Sequence, residues 1–203
     1  MTIQNPLPHT EVSLLILAGG EGRRMNGQDK GLMSVAGKPA IEHLLDRFSG
    51  HPGPVIISAN RNLKRYANYG YPVIKDNSGD FRGPLAGMLA GLMAASGSHV
   101  LTLPVDAPLI DEHYPARMIS ALAGNTHKAC VASLDQRIEP VFCLLDKTLA
   151  PGLKSYLDRG ERTVNGWLNE IDALAVDFSD LPRQFINLNT TQDQELIHER
   201  HHR

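Results

Sequence analysis

The chain has little cysteine, no strong excess of charge of either sign and no long apolar run. Each shortage excludes something. Two cysteines, Cys130 and Cys143, could pair across a hairpin in an oxidising compartment, but in a cytosolic chain they read as free, small, buried residues. A formal net charge of −2 gives no general pull toward nucleic acid. No segment approaches the roughly 18–20 consecutive apolar residues that a membrane span needs. Met1 to Glu11 is polar, without the basic start and apolar centre of a signal peptide, so a cytoplasmic location is expected. The nine histidines include no H-E-x-x-H or other zinc spacing, and His198, His201 and His202 read as part of a frayed tail.

Two phosphate-binding motifs are missing as well. No window fits the G-x-x-x-x-G-K-[ST] of a P-loop. In Gly20-Glu21-Gly22-Arg23-Arg24-Met25, methionine stands where a dinucleotide fingerprint places its third glycine. A nicotinamide-dependent oxidoreductase is therefore disfavoured. What remains is an ordinary globular composition, 42% hydrophobic and 21% charged over 203 residues. There is no internal repeat, low-complexity segment or linker, so a single domain over 1–203 is expected.

Apolar strand-like runs alternate with helix-like ones. Strands are expected at Val12–Ala18, Val55–Ala59, Tyr71–Lys75 and His99–Leu103, then at Ala129–Ser133 and Val141–Leu145 joined by a polar loop, and at Leu174–Asp177. Helices are expected over Pro39–Phe48, Gly83–Ser96, Asp111–Ala123, Leu149–Leu157 and Val164–Glu170, with a last one from Thr191 capped by Thr190. This order predicts an α/β fold with a doubly wound, mostly parallel sheet, helices on both faces and a small antiparallel addition. Ligands of such sheets bind at the carboxyl ends of the strands. Four segments should converge there: the loop from Gly19, Ser58-Ala59-Asn60-Arg61, Asp76, and Leu103-Pro104-Val105-Asp106-Ala107-Pro108.

The first of these is the most informative. After an apolar strand come Gly19, Gly20 and Gly22, whose amides can approach a ligand closely because they lack a Cβ. Successive amides of this kind form an anion-binding concavity. Arg23, Arg24 and Lys30 add positive charge. The chemistry on offer is binding of a nucleoside triphosphate; the plain alternative is a glycine turn with solvated arginines. Asp106, between two prolines that should keep the backbone extended, could hold Mg²⁺ or could be a turn residue bonded to its own backbone.

The string L-A-G-G-x-G-x-R-M, followed by D-K-G and G-K-P, resembles the Rossmann-like nucleotidylyltransferases. Gly160-Glu161-Arg162-Thr163-Val164 and Asn187-Leu188-Asn189-Thr190 bring it closest to the molybdenum cofactor guanylyltransferase family. The resemblance runs from about Ser13 to about Leu196. It implies transfer of GMP from GTP to the phosphate of molybdenum-molybdopterin, with pyrophosphate leaving and Mg²⁺ as cofactor. The nucleophile is already an anion, so no general base is required.

The resemblance also implies residue roles. Arg24, Lys30 and Asp106 are the catalytic group, with Asp106 on the metal as well as on GTP. Leu17, Ala18, Gly19 and Gly20 meet the nucleotide, as do Lys30, Ser58 and Asp76. Ser58 stands where the family often has asparagine, in an N-A-N string, and keeps only part of that hydrogen-bonding capacity. Gly83, Pro84 and Leu85 lie beside the guanine, although they also read as a helix start packed on the sheet. Arg162, Asn187 and Asn189 face the acceptor; a solvated loop arginine and helix-capping asparagines are the plain alternatives.

By the same resemblance, residues of about 12–110 bind the nucleotide and those of about 111–190 the acceptor. Partner proteins are expected to deliver molybdopterin and to receive the product, the latter as molybdoenzyme chaperones; no nucleic acid or membrane is expected. Other readings stay open: a molybdopterin cytidylyltransferase, a sugar-phosphate nucleotidylyltransferase, or a non-catalytic nucleotide-binding accessory protein.

Overall fold

The computed structural model describes residues 7–19, 29–76, 83–123 and 125–187. Nine strands and six α-helices are built from them. In chain order they are β1 (Val12–Leu17), β2 (Ser34–Val35), β3 (Lys38–Pro39), α1 (Ala40–Arg47), β4 (Val55–Ser58), α2 (Leu63–Ala67), β5 (Val73–Ile74) and α3 (Pro84–Ala94). Then follow β6 (His99–Pro104), α4 (His113–Ala123), β7 (Ala129–Leu134), β8 (Arg137–Asp146), α5 (Ala150–Asp158), α6 (Val164–Glu170) and β9 (Leu174–Asp177).

Seven strands form the main sheet in the order β5-β4-β1-β6-β8-β7-β9. β1 pairs in parallel with β4 and β6, β4 with β5, and β7 with β9. Only β8 runs against its neighbours β6 and β7. β2 and β3 make a separate antiparallel pair. The expected mostly parallel sheet with an antiparallel addition is the one observed.

The alternation of β1 explains why helices cover both faces. Val12, Leu14 and Ile16 join a core with α1, α2 and α4; Leu15 joins another with α3, α5 and α6. All of these are fully buried. Each such leucine or isoleucine stabilises the fold by about 1.5–3 kcal/mol through loss of apolar contact with water. α3 lies close on β1 because Gly87 faces it: a Cβ there would stand 2.7 Å from Leu17 Cδ2 and 3.0 Å from Ser58 Oγ.

Several expected boundaries shift. β8 begins at Arg137, four residues before Val141, and contains Pro140. Its pairing with β6 is restricted to His99–Leu101 against Leu144–Asp146, so Pro140 breaks no ladder with β6. Above that point the Thr102 hydroxyl donates to Val141 O at 2.6 Å and accepts from Cys143 N at 3.1 Å. The expected polar loop between β7 and β8 is a two-residue turn, Asp135-Gln136, with φ of +47° and +67°. Such positive angles match the twist of a tight hairpin. Pro39 closes β3 rather than opening α1, which starts at Ala40.

Cys130 and Cys143 are both free and buried. They lie on opposite faces of the sheet, in different cores, so they cannot pair across the hairpin. Among the described residues no helix is long and apolar enough to cross a membrane. The expected helix from Thr191 lies outside the described residues.

Candidate active site

Strand register brings the expected segments to one edge. Leu17 lies beside Ser58 on one side and Pro104 on the other, and Ser58 beside Ile74. The ladder continues one step further: Ala18 N donates to Ser58 O at 2.8 Å and Val105 N to Leu17 O at 3.0 Å. The carboxyl ends of β1, β4, β5 and β6 are therefore level. The crossing from β5 back over β1 to β6 puts the change in strand order between β1 and β6, where parallel sheets open a crevice.

Lys30 and Asp106 meet at that crevice. Lys30 Nζ donates to Asp106 Oδ2 at 2.7 Å, with the two side chains 29% and 15% exposed. Asp106 does not stand in an extended segment as expected. Ala107 N donates to Pro104 O at 3.3 Å, so Val105 and Asp106 form the corner of a turn. Pro104 occupies the first position of that turn and leaves the next two residues free to bend; Pro108 presets φ in the turn that follows, closed by Ile110 N on Ala107 O. Val105 is buried, which leaves Asp106 as the side chain the corner presents.

Asp76 is held by a neighbour that the sequence reading left without a role. Asn60 Nδ2 donates to Asp76 Oδ2 at 2.7 Å, and Asp76 N donates to Asn60 Oδ1 at 3.2 Å. The same amide stands beside Gly19: a Cβ there would lie 3.4 Å from Asn60 Nδ2. Ser58, in contrast, is 2% exposed and lies beneath α3 against Gly87. Asn60, the asparagine that Ser58-Ala59-Asn60 retains, is the one that reaches Asp76.

The helix start holds too. Gly83 has φ +71° and ψ −159°, a conformation that side chains other than glycine's avoid, and Pro84 follows in the first turn of α3. Leu85 is fully buried.

The fit to Mg²⁺ is a question of donors. Among the described residues there is no group of three or more His, Cys, Asp or Glu able to cage a metal. Asp106 offers one carboxylate, whose Oδ2 is shared with the Lys30 ammonium. A single carboxylate suits an ion that takes one or two of them and completes its shell with phosphate oxygens and water.

The comparisons decide the family. The sequence pattern of the MobA-like NTP transferase domain family matches residues 14–173. A molybdenum cofactor guanylyltransferase from Shewanella loihica is 37% identical over 93% of this chain and 96% of its own length. One from Polynucleobacter asymbioticus is 40% identical over 90% and 94%. The chain belongs to the molybdenum cofactor guanylyltransferase family. At the level of fold, it is similar to molybdopterin-guanine dinucleotide biosynthesis protein A from Archaeoglobus fulgidus, with TM-score 0.77 and 21% identity over 92% and 97% of the two chains. A 4-diphosphocytidyl-2C-methyl-D-erythritol synthase from Anaerococcus prevotii gives TM-score 0.69 at 17% identity over 96% and 97%.

In this member of the guanylyltransferase family, two more of the expected site residues, Arg162 and Asn187, fall among the described residues. α5 packs against α3, and Lys147, just before α5, donates from Nζ to Ala95 O just after α3. In the α5–α6 loop Arg162 Nη1 donates to Leu157 O at 2.9 Å and to Glu161 O at 2.7 Å, so part of its fork is spent on its own surroundings. On the other face a cleft of about 340 Å³ opens between Leu109–Asp111 and the segment from Asp180 to Gln184. Asn187, just beyond it, has a buried Oδ1 without a hydrogen-bond partner among the described residues. Gly20, Arg24 and Asn189 lie outside the described residues.

Proposed function

We propose that this chain transfers GMP from GTP to the terminal phosphate of molybdenum-molybdopterin, giving molybdopterin guanine dinucleotide and pyrophosphate. The juxtaposition of Lys30 and Asp106 at 2.7 Å, beside the start of the glycine loop and 76 residues apart in sequence, carries the reading. A cation and a carboxylate placed together at a phosphate-binding strand edge are the minimum equipment for displacement at phosphorus. Guanine as the base and molybdopterin as the acceptor are supported by the family and by the names of its relatives.

The roles follow from position. The amides from Gly19 onward cradle the triphosphate, with Leu17 and Ala18 leading into the loop. Asp76, steadied by Asn60, binds on the nucleoside side, where Gly83, Pro84 and Leu85 shape the space for the base; Ser58, buried against Gly87, supports that edge from within the sheet. Lys30 and Arg24 neutralise charge on the α-phosphate and on the departing pyrophosphate. Asp106 is the residue to hold Mg²⁺, which when bound offsets charge on the phosphate oxygens. Arg162, Asn187 and Asn189 orient the acceptor so that its phosphate oxygen, already an anion, faces the α-phosphorus. The new P–O bond forms as the bond to pyrophosphate breaks, and most of the rate comes from positioning.

Residues of about 12–110 thus form the nucleotide half and about 111–190 the acceptor half of one domain. The reaction is assigned to the cytoplasm, with transient contacts to proteins that deliver molybdopterin and to molybdoenzyme chaperones. Label placement tests the proposal. With GTP labelled at the α-phosphate the label enters the dinucleotide; with the γ-phosphate labelled it leaves as pyrophosphate. Label from the γ-position in the pterin product contradicts the reading.

A further inference from the structure

Lys30 sits in a turn whose neighbour, Asp29, makes more bonds than a turn needs. Asp29 Oδ1 accepts from Gly31 N at 3.2 Å, an ordinary local cap. The same oxygen accepts from the Tyr66 hydroxyl at 2.5 Å, and Oδ2 accepts from Asn62 Nδ2 at 2.9 Å. These two partners are 37 and 33 residues away, in the segment that follows β4. Tyr66 is fully buried in the core against α1 and β1, so it is a fixed anchor. Burial, and then the bond to Asp29, hold its hydroxyl far above the usual tyrosine range, so it remains a donor.

The other side of the turn is fixed by contact. A Cβ on Gly31 would lie 2.4 Å from the Tyr66 hydroxyl and 2.9 Å from Val105 Cγ2. Glycine is required because the turn rests directly on the tyrosine and on the residue preceding Asp106. The backbone at Lys30 is therefore held by Asp29 on one side and by the Asp106 corner on the other. A long, flexible side chain is aimed at Asp106 by a rigid base.

We propose that Asp29 is the positioning residue for Lys30, anchored by Tyr66 and Asn62, and that the segment after β4 thereby organises both charged elements of the site. Asn60 of that segment holds Asp76; Asn62 and Tyr66 hold Asp29. The proposal rests on the role assigned to Lys30 above.

A double-mutant cycle on GTP affinity, measured by calorimetry, and on turnover tests it. Asp29→Ala alone weakens GTP binding or turnover by about tenfold, the worth of one lost hydrogen bond to a charged group. In a Lys30→Ala background the same change has less than about a twofold effect, because the residue it serves is gone. Asn62→Ala, a milder change near the surface, shows the same dependence on Lys30. Asp29→Asn, which keeps an acceptor for Gly31 N and Tyr66, recovers most of the loss. Equal losses in both backgrounds would overturn the proposal while leaving Lys30 its role. No effect of Lys30→Ala itself would remove that role, and the proposal with it.

Discussion

Lys30 Nζ and Asp106 Oδ2 lie 2.7 Å apart, joining the turn after the glycine loop to the corner after β6. Both side chains keep some contact with water, so the pair contributes only about 0–1 kcal/mol to folding. The role proposed for it is in the reaction. Lys30→Ala and Asp106→Ala are each expected to lower kcat/KM by about 10²–10³-fold, the typical cost of removing one charge-stabilising group. Their thermal midpoints should fall by only a few degrees in calorimetry.

Asn60 gives a second separation. Its bonds to Asp76 and its closeness to Gly19 place it at the strand edge to which the nucleotide is assigned. Asn60→Ala should raise KM for GTP by roughly tenfold while kcat changes little, since a lost hydrogen bond to a carboxylate is worth about 1.5–3 kcal/mol. Asn60→Asp should be worse than alanine, because it sets two carboxylates against each other. Steady-state kinetics over a range of GTP concentrations checks both.

Gly53 supplies a change that acts on the fold alone. A Cβ there would meet Val12 O at 2.0 Å and His9 O at 3.1 Å, both backbone atoms that cannot swing aside. Val12 begins β1, at the end of the sheet opposite the site. Gly53→Ala is expected to lower stability by about 1–3 kcal/mol, as overpacking does. Urea titration reads the loss, and kcat per folded molecule should be unchanged.

The legibility of the chain divides along physical lines. β1 was plain because a strand buried on both faces is a continuous apolar run, and β9 and α6 fell where expected for similar reasons of pattern. The convergence of Gly19, Ser58, Asp76 and Asp106 followed from parallel topology, which fixes strand ends before any side chain is placed. α2 was missed: five residues, begun by Asn62 in a left-handed conformation, are too short to show a helical period. β8 was cut short because Pro140 reads as a strand breaker unless it is known that the neighbouring strand has already parted company. Asn60 and Asp29 stood inside strings the sequence singles out, Ser58-Ala59-Asn60 and D-K-G, but nothing local gave either a role. Their partners are 16 to 37 residues away, and only the folded chain brings those partners within reach.

The cysteines make a prediction about pH. Burial pushes the Cys130 thiol up to about 12 and moves Cys143 upward as well. An unfolded thiol ionises near about 8.5. Between these values the native state holds protons that the unfolded state has lost, so stability is undiminished below about pH 8 and falls as pH rises. The urea midpoint should therefore be lower at pH 10 than at pH 7. A thiol reagent at pH 8 should label neither cysteine in the native protein and both after denaturation.

The most direct test of the central claim is a single competition. The purified protein is incubated with Mg²⁺, molybdenum-molybdopterin and equal concentrations of GTP and CTP, and the pterin products are separated. The account predicts molybdopterin guanine dinucleotide as the product, little or no cytosine dinucleotide, and loss of the product with Asp106→Ala. A cytosine dinucleotide as the main product, or a guanine dinucleotide formed equally well by Asp106→Ala, would contradict it.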